Sequence, residues 1–184
     1  MNSCLKVWFY NPAHESESYF NKLVAYCDGP FCHCEIQFPD NMAFTVYMGT
    51  SVMRKQRTFD TSKYTSVSIQ CSHVQLSQAR ACAEKEFNDN KAFSMIMMGL
   101  ALTKVPFVSP NGTFCSKLCA DILIAGNLLP AQSTQHISPS ALHRILSEKY
   151  VQGAKTTVID FKLDNFLLLP SSTQGLEEAS RKQK

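Results

Sequence analysis

The chain has 184 residues, 45% of them hydrophobic, which is enough for one well-buried core and short for two independent domains. Its 18 basic and 15 acidic residues leave a formal net charge of only +3, too weak to indicate a nucleic-acid-binding protein. The eight cysteines would suit a small secreted disulfide scaffold, but no apolar signal segment follows Met1, so we expect a cytoplasmic protein in a reducing compartment.

Strand patterns fill the first part of the chain. A short aromatic and β-branched run from Leu5 to Tyr10 predicts an opening strand, and the apolar spacing within Glu15 to Tyr26 predicts an amphipathic helix. Three further runs separated by turn residues predict an antiparallel meander, and a fourth alternates between apolar and polar residues, which is typical of a strand with one face in solvent. These four runs are 32–38, 43–48, 51–56 and 64–71.

Helical patterns follow the strands. Ser77 is the predicted N-cap of a helix over 78–88, and a second helix is expected over 94–102. A third helix is predicted from Cys115 to Ala125, where Gly-Asn ends it, and a fourth from Ser138 to about Lys149, with proline in its first turn.

The end of the chain differs in composition from the rest. A last strand is predicted at Thr156 to Phe161, and the polar residues of 171–184 predict a disordered tail after a single domain over 1–170. The longest apolar stretch, 93–108, is interrupted by polar residues and too short to span a bilayer, so we expect no stable membrane insertion. The predicted fold class is α+β, with an antiparallel sheet packed against helices.

Cys115 stands where a cysteine is most easily activated. It follows the turn sequence Asn111-Gly112-Thr113 and opens a predicted helix, whose unpaired N–H groups and positive dipole end stabilise a thiolate. The same N–H groups could hold the oxyanion that forms when a thiolate attacks a carbonyl group. A buried, unreactive thiol is the alternative interpretation.

His33 supplies the second group that a thiol nucleophile needs. Strand alternation places His33 and Glu35 on one face and the apolar row that includes Cys34 on the other. Glu35 could orient the imidazole and stabilise its charged form, whereas Thr45 is a competing orienter if strand pairing places it opposite His33. An exposed strand face with an incidental histidine is the alternative interpretation.

A metal site is a second hypothesis for the same residues. Cysteines cluster around His33 in sequence, and two thiolates downstream could join them. However, no Cys-x-x-Cys pair occurs, and the strand cysteines should face away from the histidine, so we predict neither a metal nor a cofactor. The residues weighed are Cys27, Cys32, His33, Cys34, Cys115 and Cys119.

The order of these motifs resembles one known family. A His-x-Glu strand comes first, a Cys-Ser pair opening a helix comes later, and a helix start at Ile137-Ser138-Pro139-Ser140-Ala141-Leu142 follows. This order resembles the circularly permuted NlpC/P60-like proteins of the papain fold, especially their YiiX-like and viral branches, over roughly Val7 to Leu146. The stretch from Glu35 to Thr58 is most similar to viral members, which would place the protein in the virion or the infected-cell cytoplasm.

The resemblance implies a permuted papain-like fold and a function. Cys115 would be the nucleophile, His33 the general base and Glu35 the orienter of a cysteine-dependent hydrolase, a peptidase or amidase that forms a thioester and acts on a peptide or protein substrate. The acyltransferase branch of the group usually carries Asn-Cys-Glu-His, whereas this chain has Phe114-Cys115-Ser116-Lys117, which weakens a lipid acyltransferase or thioesterase function. A catalytically silent papain-like binding module is the remaining alternative.

Overall fold

The computed structural model of the protein describes residues 3–13, 19–103, 112–131 and 137–152. Within those ranges the chain forms five strands and five α-helices, and the last helix continues into a π-helical turn over Glu148–Gln152. The elements in chain order are β1 (Ser3–Tyr10), α1 (Tyr19–Asp28), β2 (His33–Gln37), β3 (Met42–Thr45), β4 (Met53–Gln56), β5 (Tyr64–Cys71), α2 (His73–Asn88), α3 (Met95–Thr103), α4 (Cys115–Ala125) and α5 (Pro139–Ser147).

The strands form one antiparallel sheet in the order β4-β3-β2-β1-β5. β1 lies inside the sheet, because it pairs with β2 on one side and along its whole length with the edge strand β5 on the other. The turn residues between β2, β3 and β4 join them as a meander, as their sequence predicts. This arrangement puts the histidine strand β2 in the interior of the sheet, with paired neighbours on both edges.

One face of the sheet packs against α2, α4 and α5. Alternate residues of the strands point toward these helices and are almost completely buried, because the side chains of a strand alternate between its two faces. The helices bury apolar residues at intervals of three or four on the side that meets the sheet. This core contains Leu5, Val7, Phe9, Cys34, Ile36, Phe44 and Ile69 from the sheet and Leu118, Ile122, Leu142 and Leu146 from the helices.

The opposite face of the sheet is also covered near β2. The Trp8 ring stacks on Phe59 at a centroid distance of 4.7 Å, and its Nε1 donates a hydrogen bond to Gln37 Oε1 at 2.8 Å. Gln37 Nε2 in turn donates to the backbone oxygen of Arg57 at 2.8 Å. Because Glu35 lies in this layer at 0% exposure, the polar row of β2 faces the protein interior and not solvent.

The α+β class and the antiparallel sheet predicted from the sequence are confirmed, and α4 has the predicted bounds. The predicted strand at 156–161, the tail at 171–184 and the end of the proposed domain at residue 170 lie outside the described residues. None of the helices in the described ranges is long and apolar enough to cross a membrane.

The beginning of α2 corrects one prediction. The helix starts at His73 with Ser72 as its N-cap, and not at residue 78 with Ser77 as the cap. Ser72 Oγ accepts a hydrogen bond from the Gln75 N–H, and the Gln75 side chain accepts one from the Ser72 N–H. This reciprocal capping box satisfies two N–H groups at once, so the helix begins directly after β5 and includes the predicted cap in its second turn.

We expect Ser72→Ala to lower the free energy of unfolding by about 1 kcal/mol, because the helix loses its cap. Ser77→Ala is the matched control: Ser77 is exposed within α2, and its replacement should change the free energy by less than about 0.5 kcal/mol. Urea denaturation of both variants measures the difference, and an equal loss in the control would contradict the assigned cap.

Candidate active site

Cys115 and His33 lie where two elements begin. Cys115 is the first residue of α4, His33 is the first residue of β2, and the two side chains are close enough for each to shift the pKa of the other. Phe114 precedes the helix in an extended conformation and is itself buried, so the backbone turns from extended to helical at the cysteine. The side chain at position 115 therefore lies beside the first turn of a helix that is otherwise part of the core.

The segment before Cys115 is held by backbone contacts. The Thr113 N–H donates to Ala92 O at 3.1 Å, and the Ser94 N–H donates to Thr113 O at 2.8 Å. Gly112 has a φ of +149°, and a Cβ at this position would come within 2.8 Å of Ser94 Cβ. A glycine is thus required where the chain passes close to the residues before α3. This close approach fixes the position of the segment that leads into Cys115.

The beginning of β2 is held by α5. Ser140 Oγ accepts a hydrogen bond from the Phe31 N–H at 3.1 Å and donates one to Phe31 O at 3.3 Å. On the same side, Ser116 Oγ donates to Ile137 O at 2.6 Å, just before the Ser138 cap of α5. The Ser-Pro-Ser helix start noted in the sequence thus connects the histidine strand with the cysteine helix.

The electrostatics of the pair favour the charged forms of both groups. Burial alone would lower the pKa of His33, whose side chain is 13% exposed, but the charge of Cys115, a hydrogen bond with it and the nearby Glu35 raise that pKa to about 9. The pKa of Cys115 lies well below its ordinary value. A thiolate beside an imidazolium is the expected state at neutral pH.

Cys34 contributes most to the lowered pKa of Cys115. Hydrogen bonding with the Cys34 thiol is the largest cause of this lowered pKa; burial opposes it, and the charge of His33 lowers the pKa further. In the structure the Cys34 thiol donates to Cys119 Sγ at 3.7 Å. Burial raises the pKa of Cys34 itself well above its usual value, so Cys34 stays protonated and able to donate. Strand alternation correctly predicts that Cys34 faces the core, where Cys115 and Cys119 belong to the same buried cluster.

Both predicted orienters contact the histidine. The Thr45 hydroxyl lies 3.0 Å from His33 Nε2, and Glu35 Oε1 lies 3.6 Å from the same nitrogen. When the ring is protonated, Nε2–H donates to Thr45, whereas Glu35 supplies negative charge at slightly longer range. The Tyr47 ring stacks on the imidazole at a centroid distance of 4.6 Å and fixes its plane.

A network behind Glu35 holds the carboxylate. The Tyr47 hydroxyl donates to Glu35 Oε1 at 2.9 Å, and Arg57 Nη1 lies 2.8 Å from the same oxygen. Arg57 also donates to the Tyr47 hydroxyl at 2.6 Å and, through Nη2, to the Tyr64 hydroxyl at 3.0 Å. Burial, with the charge of Glu35 next in importance, raises the pKa of both tyrosines, so both hydroxyls remain donors.

Sequence reasoning missed Cys34, Tyr47 and Arg57 as contributors to the site. Cys34 was placed on the apolar face, and Arg57 follows β4 in a segment without strand periodicity. An unpaired glutamate among apolar strand residues was the available signal, since a buried carboxylate needs a cationic partner.

A small cavity of about 10 Å³ adjoins Cys115. Its lining is mainly apolar and comes from α1, the start of β2, α3, α4 and α5; the lining residues are Val24, Cys32, Met98, Phe114, Cys115, Ser138 and Pro139. Among the described residues, no group of three or more His, Cys, Asp or Glu side chains is arranged to hold a metal ion.

Comparison of the chain with protein-family models, curated proteins and solved structures found no match. The function is therefore inferred from the geometry of this site and from the motifs that form it.

The roles of the two orienters can be separated by titration. Glu35→Gln should lower the pKa of His33 part of the way from about 9 toward 6.5, because it removes a negative charge that favours the imidazolium. Thr45→Val should change that pKa less, since it removes a neutral hydrogen bond. NMR titration of the His33 ring measures this pKa in both variants, and the ring signal is identified by its absence from the spectrum of His33→Ala. A larger pKa change in Thr45→Val than in Glu35→Gln would show that Thr45 is the more important orienter.

A second prediction concerns the thiol donor. Cys34→Ala should raise the pKa of Cys115, because the thiolate loses its principal hydrogen-bond donor, whereas Cys34→Ser keeps a donor and should keep most of the shift. The measurement is the pH dependence of Cys115 alkylation. Cys71→Ala is the control for a missing buried sulfur, because Cys71 belongs to the same core but its thiol donates to Ser3 O. An equal rise in that variant would point to a loss of packing instead.

Proposed function

We propose that the protein is a cysteine-dependent hydrolase, a peptidase or amidase that works through a thioester intermediate. The observation that carries this proposal is the proximity of Cys115 to His33 at the beginning of a helix and a strand, where the thiol has a lowered pKa and the imidazole a raised one. Such a pair, with a carboxylate and a hydroxyl behind the imidazole, is the arrangement that nucleophilic thiol catalysis requires.

In the first half of the proposed reaction, Cys115 Sγ attacks the carbonyl carbon of an amide. The N–H groups of the first turn of α4 stabilise the resulting oxyanion. The His33 imidazolium then donates its proton to the leaving nitrogen while the C–N bond breaks. An amine departs, and the acyl group stays on Cys115 as a thioester.

The second half uses water. Neutral His33 accepts a proton from a water molecule, whose oxygen attacks the thioester carbonyl. The C–S bond breaks, a carboxylic acid is released, and the Cys115 thiolate and the His33 imidazolium are restored. Glu35 and Thr45 act through His33, since both contact the imidazole and not the nucleophile.

The permuted papain-like fold belongs to the same proposal. It is supported by the chain order, in which the histidine strand β2 precedes the cysteine helix α4, and by the packing of α4 against β2. The connection from α5 to Phe31 adds support, because it gives the Ser-Pro-Ser segment of the resemblance a structural role.

Thioester or lipid-like ester hydrolysis is a second candidate. The mainly apolar lining of the cavity beside Cys115, which includes Val24, Met98 and Phe114, favours it, although at about 10 Å³ the cavity would have to widen to admit an acyl chain. A set of p-nitrophenyl esters of increasing chain length, compared with peptide amides, separates the two candidates. A kcat/KM that rises with chain length supports the ester, and cleavage restricted to amides supports the peptidase or amidase.

The first test of the proposal is the rate of iodoacetamide labelling of each cysteine, read by mass spectrometry. Cys115 should react fastest at pH 7, and His33→Ala should slow its labelling and raise its apparent pKa, because the imidazolium no longer stabilises the thiolate. Slow labelling of Cys115 that does not change in the variant would contradict the proposed hydrolase function and favour a papain-like binding module.

The pH profile of hydrolysis follows from the same pair. Activity should fall at acidic pH as the Cys115 thiolate binds a proton. Because the pKa of this thiol is lowered, the fall should occur well below the pH at which an ordinary cysteine is protonated. Activity should also fall as the pH rises through about 9, because His33 then loses the proton that the leaving group needs. A profile that keeps rising above pH 9 would show that His33 is not the acid.

A further inference from the structure

The two edges of the sheet differ in how they are protected against further pairing. β4 forms one edge and is only four residues long, with Arg54 and Lys55 exposed on it. Short edge strands and charged side chains both disfavour the addition of another strand. β5 forms the other edge, pairs with β1 over eight residues in unbroken register, and carries neither a charged residue nor a proline. It therefore has the features of a strand that is paired on both sides.

No strand in the described ranges pairs with the outer edge of β5. An antiparallel strand directs backbone groups to both sides, so β5 presents a row of N–H and C=O groups on its open side. Its side chains alternate: Val67, Ile69 and Cys71 are buried in the core, whereas Ser66 and Ser68 are exposed. A strand added to this edge needs the same alternation, with apolar side chains toward the core and polar ones toward solvent.

The described part of the chain ends beside the end of β5. The π-helical turn over Glu148–Gln152 packs against β5, and its Tyr150 hydroxyl donates to Leu128 O at 2.5 Å. The backbone oxygen of the adjacent Asn127 accepts a hydrogen bond from Gln75 Nε2 at 3.4 Å, and Gln75 belongs to the capping box that begins α2 directly after β5. The turn is therefore close to the point where β5 finishes.

The sequence predicts a strand a few residues further on. Residues 156–161 read Thr-Thr-Val-Ile-Asp-Phe, in which four of the six are β-branched. Ile159 and Phe161 fall on one face of such a strand, whereas Asp160 falls on the other. The three residues 153–155 precede it, and they can span up to about 10 Å, roughly twice the spacing of about 4.8 Å between neighbouring strands. The segment can thus reach the open edge of β5.

We propose that residues 156–161, which lie outside the described ranges, pair with the outer edge of β5 as a sixth strand. The segment starts near the end of β5 and runs back along it, so the pairing is antiparallel, like every other pair in the sheet. Ile159 and Phe161 face the core beside Ile69, and Asp160 faces solvent and places a charge on the new edge. This pairing does not depend on the proposed hydrolase function.

Residue-resolved hydrogen exchange, followed by NMR on the full isotope-labelled chain, tests the pairing. The N–H groups of β5 that point toward β1 are the internal reference, because their hydrogen bonds belong to the described sheet. The N–H groups that point outward should exchange as slowly as this reference, within about tenfold. Nuclear Overhauser contacts between α-protons should connect β5 with residues 156–161 in antiparallel order. Both results are read from the wild-type chain, so the test holds even where a variant fails to fold.

Ile159→Asp and Val158→Asp are a matched pair, since they place the same charge on neighbouring β-branched residues of opposite faces. Ile159→Asp should speed the exchange of the outward N–H groups of β5 by at least about tenfold, because it puts a carboxylate on the core face of the added strand. The reference groups should change less. Val158→Asp should alter the exchange of either set by less than about twofold.

Fast exchange of the outward N–H groups in the wild-type chain, comparable to that of an exposed loop, would overturn the inference. Slow exchange that depends on protein concentration, together with a doubled mass in light scattering, would also overturn it, because a second copy of the chain would then cover β5. Equal effects of the two aspartate variants, or α-proton contacts in parallel order, would reject the proposed face and direction of the strand.

Discussion

A completely buried carboxylate sets the conditions for the rest of this structure. Glu35 has 0% exposure in the middle of the sheet, where an unpaired charge would cost several kcal/mol. Arg57, Tyr47 and the His33 imidazolium surround it and offset that cost. The covering layer that includes Trp8 and Phe59 packs over this face of the sheet, and the same carboxylate that requires these neighbours also adds to the raised pKa of His33, after the larger effect of Cys115.

α4 serves the core and the site at once. Leu118 and Ile122 are completely buried against the sheet and fix the axis of the helix, while its first residue is Cys115, the proposed nucleophile. A mobile helix could not hold a thiolate near an imidazole, because the attraction between charges depends on their distance. The apolar packing of α4 against the sheet thus also fixes the position of Cys115 relative to His33.

Much of this arrangement could be predicted from local sequence patterns. Alternation along β2 shows that His33 and Glu35 share a face, and the turn before Cys115 shows where α4 begins. Strand and helix periods are local signals, and they predict each element together with the candidate residues on it.

The remaining contacts depend on how distant segments pair, which one sequence does not reveal. Arg57 reaches Glu35 from an irregular segment after β4, and Cys34 lowers the pKa of Cys115 from 81 positions away although it faces the apolar side. The sequence prediction placed the N-cap of α2 at Ser77, whereas the reciprocal hydrogen bonds between Ser72 and Gln75 place it five residues earlier. The spacing of apolar residues in the sequence does not determine such contacts, whereas side-chain geometry in the structure does.

The hydrogen bonds between Ser140 and Phe31 join positions 109 residues apart. During synthesis the ribosome makes Phe31 and His33 long before it makes Ser140, and Cys115 also precedes the segment that holds the strand in place. A growing chain therefore contains the histidine and the cysteine before it can stabilise their approach, since closing so long a loop requires the contacts that come last. The hydrogen bonds that hold the start of β2 against α5 can therefore form only after β2 and α4 have both been synthesised.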